Sequence, residues 1–413
     1  MKRILPLLTL LISVASHAST LEVLHWWTSP GELEAQKLLK DVLAKENIQW
    51  KDFAVDGGGG DSALRVLQMR ALSGNPPDAA QIKGPDIAEW AKMGMIKKVD
   101  YIVPSPVWRE YISSTVKQTV SYNGYYLALP LNIHRVNWLW LNKEIFDELA
   151  LEVPKTWDQF FIVADKIKLA GYTPIAHGRT SWQNSVLFES VAISVLGAER
   201  YRKAFVEFDE AVLNSPKMLE AFKKFKRLNE YIKNDQQGEG WAYSGEMLID
   251  KKAAMLFMGD WVKGMWLASG KVAMQDYLCV DVPESEGVFS YNIDSFVFFD
   301  KRNIENEIIT NSNSETFAKT LLSTDFQHTF NIKKGSIPVR TNMDMKGFDE
   351  CSQKAYSDFY SNKLVPSFSQ NMATSSYLQA EMSKIISHYF NNPSITAEQV
   401  MKQLSVAIRA INK

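Results

Sequence analysis

The chain has 413 residues, and 46% of them are hydrophobic, which is enough apolar material for two or three filled cores. Its 46 basic residues nearly balance its 47 acidic residues, so the net charge is −1. A protein with this balance has no electrostatic attraction for nucleic acid or for anionic lipid. Nucleic acid is therefore excluded as an expected partner.

Residues 1–18 have the pattern of a secretory signal peptide. Lys2 and Arg3 give a positive start, Ile4 to Val14 forms an apolar core, and Ser16-His17-Ala18 fits a small-x-small cleavage site. The apolar run is too short to span a bilayer. We therefore expect cleavage and export of a soluble mature protein. The alternatives are an uncleaved anchor and a buried first helix.

The first part of the mature chain alternates between strand and helix patterns. Apolar residues recur at helical spacing in the predicted helices, and short apolar runs mark the strands. This order predicts a mostly parallel sheet covered by helices. The predicted strands are Leu21–Trp26, Phe53–Val55 and Ala79–Ile82, and the predicted helices are Glu32–Lys45, Asp61 or Ser62 to Gly74, and Asp86–Met93.

The same alternation returns in the second half of the chain. Thr156-x-x-Gln159 and Thr396-x-x-Gln399 predict capping boxes, and Ser215-Pro216 predicts the start of a long helix that extends to Ile232. Tyr126 to Asn132 is extended and apolar, as expected of a segment that crosses between lobes. We therefore predict an α/β protein of two lobes joined by short crossings.

Several kinds of chemistry lack their sequence pattern. The six histidines have no metal-binding spacing, and neither GxSxG nor a Walker pattern occurs. Gly57 to Gly60 lacks the Lys-Ser/Thr of a phosphate-binding loop, so we interpret it as a turn that requires positive φ. The sequence predicts no metal and no cofactor. Because the chain contains many Asp and Glu residues, a pair of glycosidase carboxylates stays open as an alternative.

Cys279 and Cys351 are the only two cysteines of the chain. In an oxidising compartment they can form one disulfide bond. Such a bond would close a long loop and stabilise the fold by ~4 kcal/mol in the loop-entropy model. The alternative is two buried free thiols.

A sparse set of residues has the side chains that hold a sugar. Aromatic rings lie against the C–H faces of a sugar, and carboxylates, amides and lysines bond its hydroxyls. These residues are so far apart in sequence that they can meet only in a cleft between folded units. The set comprises Trp26, Trp27, Glu32, Lys83, Asp260, Trp261, Asn292, Asp294 and Lys334.

Each member of this set has a structural alternative. Trp26 and Trp27 end the first strand, and because neighbours on a strand face opposite ways, one of them could belong to the core. Asn292 and Asp294 share one face of an extended segment, where buried polar groups need partners. The remaining residues have alternatives as a helix-dipole partner, a helix cap, a core aromatic or a solvated lysine: Glu32, Asp260, Trp261, Lys83 and Lys334.

Seven short motifs resemble, in the same order, those of bacterial periplasmic sugar-binding proteins of ABC transporters, in family 1 of the extracellular solute-binding proteins. They are most similar to the glucose-binding branch, and the resemblance extends from residue 21 to the C-terminus. It implies a type II periplasmic binding protein fold, in which the ligand lies between two α/β lobes. The motifs are HWWTSPGE (25–32), DGGGGDSALRVLQMRALSGNPPDAAQIKGPDIAEW (56–90), LPLNIHRVNWLWLN (129–142), MGDW (258–261), YNIDS (291–295), FNIKKGSIPVR (330–340) and NMATS (371–375).

The resemblance also implies where the lobes and the site lie. One lobe is expected to comprise residues 19–130 plus 284–322, and the other residues 131–283 plus 323–413. The cleft residues expected from the first lobe are Trp26, Trp27, Glu32, Lys83, Asn292 and Asp294, and those from the second lobe are Trp261 and Lys334.

Residue 370 departs from the family pattern. The glucose-binding members usually have His at this position, and this chain has Gln370. Gln donates and accepts hydrogen bonds but cannot become charged. The preferred hexose is therefore open among glucose, galactose and mannose. His134 and Arg135 are interpreted as structural residues of the first crossing rather than ligand contacts.

The resemblance predicts a function without catalysis. We expect a monomeric periplasmic protein that captures a monosaccharide, with D-glucose first, and delivers it to the permease of an ABC importer. A chemoreceptor is a possible second partner. The alternative from another class is a secreted carbohydrate-active enzyme.

Overall fold

The computed structural model describes residues 19–55, 61–103, 106–233, 240–300 and 307–411. The predicted signal peptide and the Gly57–Gly60 turn lie outside these ranges. Within them the strands are β1 (Ser19–His25), β2 (Ile48–Ala54), β3 (Ala79–Gln81), β4 (Ser121–Tyr122), β5 (Tyr125–Tyr126), β6 (Leu129–Arg135), β7 (Trp138–Asn142), β8 (Thr173–Ile175), β9 (Ala253–Phe257), β10 (Tyr277–Asp281), β11 (Val288–Phe298), β12 (Ile337–Pro338) and β13 (Lys363–Pro366).

Helices connect and pack against these strands. In chain order they are α1 (Pro30–Lys45), α2 (Asp61–Leu72), α3 (Asp86–Lys92), α4 (Val99–Ile102), α5 (Ser114–Thr119), α6 (Lys143–Glu148), α7 (Trp157–Leu169), α8 (Ser181–Phe205), α9 (Glu210–Leu213), α10 (Pro216–Leu228), α11 (Trp241–Ile249), α12 (Trp261–Ala268), α13 (Glu307–Leu322), α14 (Thr324–Lys334), α15 (Glu350–Ser361), α16 (Ser376–Asn391) and α17 (Ala397–Ile411). In the described part of the chain, none of them combines the length and the apolar character needed to cross a bilayer.

One sheet contains seven of the described strands. Its order is β12-β6-β11-β3-β1-β2, and β13 pairs with one end of β11. The prediction of a parallel sheet is correct for β1, β2 and β3. The other strands enter this sheet from distant parts of the sequence: β6 is antiparallel to β11 and β12, and β11 is antiparallel to β3 but parallel to β13.

A second sheet has four strands in the order β10-β7-β9-β8. Cys279 in β10 is bonded to Cys351 in α15, with a Cα–Cα distance of 5.9 Å. The disulfide that the sequence allowed is therefore formed, and it attaches α15 to the edge strand of this sheet. The alternative of two free thiols is wrong.

β11 is the longest strand, and all of its residues are buried. One of its edges pairs with β6, while the other pairs with β13 near its start and with β3 near its end. The expected lobe boundary at residues 130 and 131 falls inside β6, and the boundary at 283 and 284 falls just before β11. These two strands are therefore continuous through the middle of the molecule.

The predicted helix starts are confirmed. In α7, Thr156 Oγ1 accepts from the Gln159 N–H and Gln159 Oε1 accepts from the Thr156 N–H, each at 3.2 Å. Thr396 and Gln399 form the same reciprocal pair before α17. The long helix that begins after Ser215 ends earlier than predicted, at Leu228, and continues only as a 3-10 turn over Asn229–Tyr231.

Candidate functional site

A small, partly enclosed cavity lies where the seven-stranded sheet meets helices from distant parts of the chain. Three of its lining residues lie on strands of that sheet, and the others lie on helices and connecting segments. The cavity therefore forms only when these distant segments fold together. The lining residues are Trp26, Thr28, Glu32, Lys83, His134, Trp182, Trp241, Trp261, Asn292, Asp294, Lys334 and Gln370.

Seven of the nine residues in the set predicted from the sequence line this cavity, as does Gln370, whereas Asp260 and Trp27 do not. The Trp27 side chain is fully buried and packs against the rings of His25, Phe296 and Phe330, with ring centroids 5.5 to 5.7 Å apart. Because neighbouring side chains at a strand end point in opposite directions, only Trp26 turns toward the cavity. The expectation that Trp27 lines the site is thus not met.

Tryptophans form one wall of the cavity. Trp182 is the second residue of α8, and Trp241 and Trp261 are the first residues of α11 and α12. The rings of Trp182 and Trp261 have centroids 6.1 Å apart. Sequence reasoning missed Trp182 and Trp241. A tryptophan in the first helical turn would not have sufficed as a signal, because Trp157 begins α7 in the same way and is buried in the core.

The seven-stranded sheet supplies a polar wall. Asn292 and Asp294 lie on β11, and Lys83 follows β3. The ammonium group of Lys83 lies 5.0 Å from the centre of the Trp26 ring and 3.5 Å from Gln370 Oε1. The cation therefore contacts an aromatic ring and an amide of the same cavity. Lys83 is therefore buried in the site. The alternative of a solvated surface lysine is wrong.

His134 joins two carboxylates across the site. Its Nδ1 is hydrogen-bonded to Asp260, and its Nε2 lies 3.3 Å from Asp294 Oδ2. Burial lowers the pKa of His134, but Asp260 and Asp294 outweigh burial and raise that pKa above its ordinary value. The raised pKa favours the protonated form of His134, whose ring lines the cavity. The interpretation of His134 as a structural residue covers only part of its role, because its side chain also lines the cavity.

Asp260 has a different role from the helix cap considered from the sequence. Its side chain makes no capping bond to α12. Its carboxylate instead accepts from the backbone N–H of Arg135 at 2.9 Å and from His134. Asp260 thus connects the start of α12 to β6 directly behind the cavity.

Asp294 is held ionised. Burial raises the pKa of its carboxyl, but the ion pair with His134 and the charges of Lys83 and Lys334 outweigh burial and hold that pKa well below its usual range. Its Oδ1 also accepts from Asn292 Nδ2 at 3.3 Å. The carboxylate therefore lines the cavity as a permanent hydrogen-bond acceptor.

Glu32 and Lys334 form a buried ion pair, with a distance of 2.8 Å between Glu32 Oε1 and Lys334 Nζ. The other carboxylate oxygen of Glu32 accepts from Ser29 Oγ at 2.8 Å and from the Ser29 N–H at 3.1 Å. Burial raises the pKa of Glu32, and Lys334 outweighs burial and lowers it. Glu32 therefore serves both the start of α1 and the cavity wall.

Two buried polar atoms of the cavity have no hydrogen-bond partner among the described residues. They are Nε2 of Gln370 and Oδ1 of Asn292, on side chains that are only 4% and 3% exposed. A buried polar group without a partner costs about 1–3 kcal/mol. Both residues line the cavity beside its tryptophans, so hydroxyl groups of a bound ligand are suitable partners for this donor and this acceptor.

The charges of the site balance. Three cations, Lys83, Lys334 and His134, face Glu32 and Asp294, with Asp260 directly behind His134. An arrangement with equal numbers of opposite charges favours a neutral ligand, because an ion would leave one protein charge without compensation. In the described ranges, no group of three or more His, Cys, Asp or Glu residues could hold a metal ion.

The architecture defines the class of the protein. The two sheets, the long crossing strands and the cavity between them are those of the type II periplasmic binding protein fold. The bacterial solute receptor AcbH, which has an exclusive preference for β-D-galactopyranose, superposes with a TM-score of 0.82 at 15% identity, over 96% of this chain and all of that one.

The family follows from the sequence. The family model of bacterial extracellular solute-binding proteins matches residues 30–283, and the chain belongs to this family. It is similar to a probable sugar-binding periplasmic protein of Rhizobium meliloti, with 35% identity over 98% of this chain and 97% of that protein. It is also similar to a xylose/arabinose-binding protein of Haloferax volcanii, with 25% identity over 84% of this chain and 75% of that protein.

Proposed function

We propose that this protein captures a neutral monosaccharide in the periplasm, with D-glucose as the first candidate, and delivers it to the permease of an ABC importer. The observation that carries the proposal is the pair of partnerless buried atoms, Gln370 Nε2 and Asn292 Oδ1, which face a small cavity between tryptophan rings. A pyranose presents hydroxyls at its edge and C–H groups on its faces. It therefore matches the polar wall and the aromatic wall together.

The charge distribution supports a sugar without an ionic group. Each lysine and carboxylate of the cavity already has an opposite charge nearby. Such groups bond hydroxyls strongly because one partner of the hydrogen bond is charged. Binding should then depend little on salt, since no net charge is neutralised.

The identity of the sugar rests on Gln370. Its amide supplies a donor where the resemblance to glucose-binding members leads us to expect a histidine, so galactose and mannose are the alternatives among the hexoses. A pentose is a further candidate because one relative is a xylose/arabinose-binding protein. A pentose lacks the exocyclic hydroxymethyl group and would leave part of the polar wall unpaired.

An enzymatic role has little support in the cavity. A glycosidase needs one carboxyl group that stays protonated near neutral pH and acts as the general acid. Glu32 and Asp294, the two carboxylates of the cavity, both have pKa values below their usual ranges. Neither can donate a proton at neutral pH, and we therefore propose a binding protein without catalysis.

We propose that the lobes comprise residues 19–130 plus 284–322 and residues 131–283 plus 323–413. The contact between α1 and α12 then joins the two lobes. A Cβ atom on Gly31 of α1 would lie 2.4 Å from the carbonyl carbon of Gly264 in α12, so only glycine permits this approach. Sugar binding would favour the closed arrangement, and the monomer would present that form to the permease and to a chemoreceptor.

Isothermal titration tests the proposal. The protein is unfolded and refolded to remove bound sugar, and it is then titrated with D-glucose, D-galactose, D-mannose, D-xylose and L-arabinose. We expect one-to-one binding of at least one hexose, with a higher melting temperature in its presence, because a ligand that binds only the folded state stabilises it. A refolded protein that binds none of these sugars would contradict the proposal.

A further inference from the structure

A buried carboxylate lies behind the cavity and is not part of its lining. Glu189 of α8 is 1% exposed. Its Oε1 accepts from Ser290 Oγ, and its Oε2 accepts from Ser367 Oγ at 2.9 Å and from the backbone N–H of Ser369 at 2.7 Å. Three donors therefore converge on one side chain that reaches neither solvent nor the proposed ligand.

These donors belong to the elements that carry the cavity residues. Ser290 lies on β11, on the same face as Asn292 and Asp294, because side chains alternate along a strand. Ser369 directly precedes Gln370. Glu189 itself lies on α8, which brings Trp182 to the cavity at its first turn. A single carboxylate thus connects the polar wall, Gln370 and the aromatic wall.

The segment that carries Gln370 is unusual because it is buried without being a helix or a strand. Residues 367–374, which we call the buried loop, are all inaccessible. A buried loop needs partners for its backbone polar groups. Besides Glu189, the hydroxyl of Tyr201 accepts from the Phe368 N–H at 3.0 Å, and Gln379 Nε2 donates to the Ser369 carbonyl at 3.3 Å.

On its other side, the buried loop lies in close backbone contact with the turn at Gly84. A Cβ atom on Gly84, the residue after Lys83, would lie 2.1 Å from the carbonyl oxygen of Asn371. The loop is therefore held between the turn that presents Lys83 and the carboxylate of Glu189. The carboxyl group of Glu189 bonds the backbone N–H of Ser369, the residue directly before Gln370, so a change at Glu189 acts on the loop next to Gln370.

We infer that Glu189 is a positioning residue that sets where the Gln370 amide meets the sugar and thereby sets the discrimination between hexose epimers. This inference rests on the proposed function. Epimers differ in the direction of one hydroxyl, and a site rejects the wrong epimer when its buried polar groups are left unpaired. If the Gln370 donor is displaced, it pairs less well with the hydroxyl of the preferred epimer. The difference in affinity between the two epimers then becomes smaller.

The test is the substitution Glu189→Gln, which keeps the shape of the side chain but replaces one acceptor oxygen by a donor. One of the three donors then loses its acceptor. We expect the ratio of glucose to galactose dissociation constants, or of glucose to mannose, to change about fivefold or more, as for one hydrogen bond made or lost. Glu199→Gln is the matched control, because Glu199 lies in the part of α8 after the break at Gly197 with a side chain that is 84% exposed, and it should keep the parent ratio.

Ser367→Ala is the second variant and decides the question if Glu189→Gln does not fold. It removes one donor to Glu189 without placing a new group in the loop, and we expect the epimer ratio to change in the same direction. If a folded variant shows the parent ratio, or binds every sugar more weakly by the same factor, Glu189 has only a structural role and the inference is wrong. If the parent protein itself binds no sugar, it is the proposed function that fails.

Discussion

The two walls of the cavity arise from the chain in different ways. Lys83, Asn292 and Asp294 belong to the polar wall, and they lie on or directly after strands of the seven-stranded sheet. Trp182, Trp241 and Trp261 belong to the aromatic wall, and they lie in the first turns of helices. A polar side chain in a buried strand is costly unless it has a partner, so it indicates a functional role. A tryptophan in a helix gives no such indication, because it is often part of the core. The comparison predicts that the polar wall decides which sugar binds and that the aromatic wall decides how tightly any sugar binds.

The largest expected effect comes from breaking the buried ion pair between Glu32 of α1 and Lys334 of α14, which lies beside the polar wall in the same cavity. Glu32→Gln leaves Lys334 buried without its carboxylate and should destabilise the protein by about 3–5 kcal/mol. The folded-state pKa of Glu32 is lowered, so the stabilisation is fully present above the unfolded-state value of about 4.3 and is lost as the pH falls through the folded-state value. Urea unfolding of both proteins from pH 7 to pH 3 measures this difference, which should narrow below about pH 4.

Glu34→Gln is the control for this experiment. Glu34 is also in α1, but its side chain is 55% exposed and lies 3.7 Å from Lys333. Surface pairs contribute little, so we expect no change beyond ~0.5 kcal/mol. If Glu32→Gln has the same free energy of unfolding as this control, the buried ion pair does not stabilise the fold.

Asp294→Ala should have the next largest effect, chiefly on binding, with some loss of stability because it removes one of the two carboxylates paired with the buried His134. The carboxylate is held ionised by His134, and each hydrogen bond that it makes to a sugar hydroxyl is worth about 1.5–3 kcal/mol. We expect titration calorimetry to show hexose binding weakened at least tenfold, with a native circular dichroism spectrum. Asp147→Ala, at a side chain that is 65% exposed, should bind like the parent. Parent-like binding by Asp294→Ala would show that the polar wall does not touch the sugar.

Trp182→Leu tests the aromatic wall. A sugar that loses one aromatic face should bind more weakly by about 0.5–1.5 kcal/mol. Glucose and galactose differ in the direction of the hydroxyl and of the C–H at one carbon, and the division of roles requires that this C–H does not lie against the Trp182 ring. Glucose and galactose should then lose affinity by the same factor. Tyr377→Leu, at a side chain that is 72% exposed, is the control. A change in the epimer ratio on removal of Trp182 would contradict the division of roles between the walls.

Gln370→His should give the smallest effect on total affinity and a clear effect on selectivity. An imidazole supplies one donor and one acceptor per tautomer and can gain a proton, whereas the amide supplies a fixed donor at Nε2. We expect the glucose-to-galactose or glucose-to-mannose ratio to change severalfold while binding persists. The measurement is a pair of titrations for each variant, and an unchanged ratio would place specificity elsewhere in the cavity.

The comparison also explains how much the sequence could predict. Asn292 and Asp294 were predictable because two polar side chains share one face of a strand that is otherwise apolar. The strand and helix alternation predicted β1 to β3 with α1 to α3, because each element has its own local pattern. The antiparallel entry of β6 and β11 was not predictable in this way, since strand pairing between distant segments leaves no local signal.

Other residues could be placed only by the fold. Two adjacent tryptophans follow β1, and the sequence does not show which of them faces the cavity. The structure shows that Trp27 is in the core and that Trp26 lines the cavity. The sequence likewise gives no signal that Glu189 is buried, because a glutamate in a helix usually faces water. Its burial becomes meaningful only when the buried loop is seen beside it.

The most direct test of the central claim is a crystal structure of the refolded protein with D-glucose. The account predicts one sugar in the cavity, with Gln370 Nε2 and Asn292 Oδ1 each within hydrogen-bonding distance of a hydroxyl and a face of the ring against a tryptophan. A sugar bound elsewhere, or bound in the cavity with both atoms still without partners, would contradict the account.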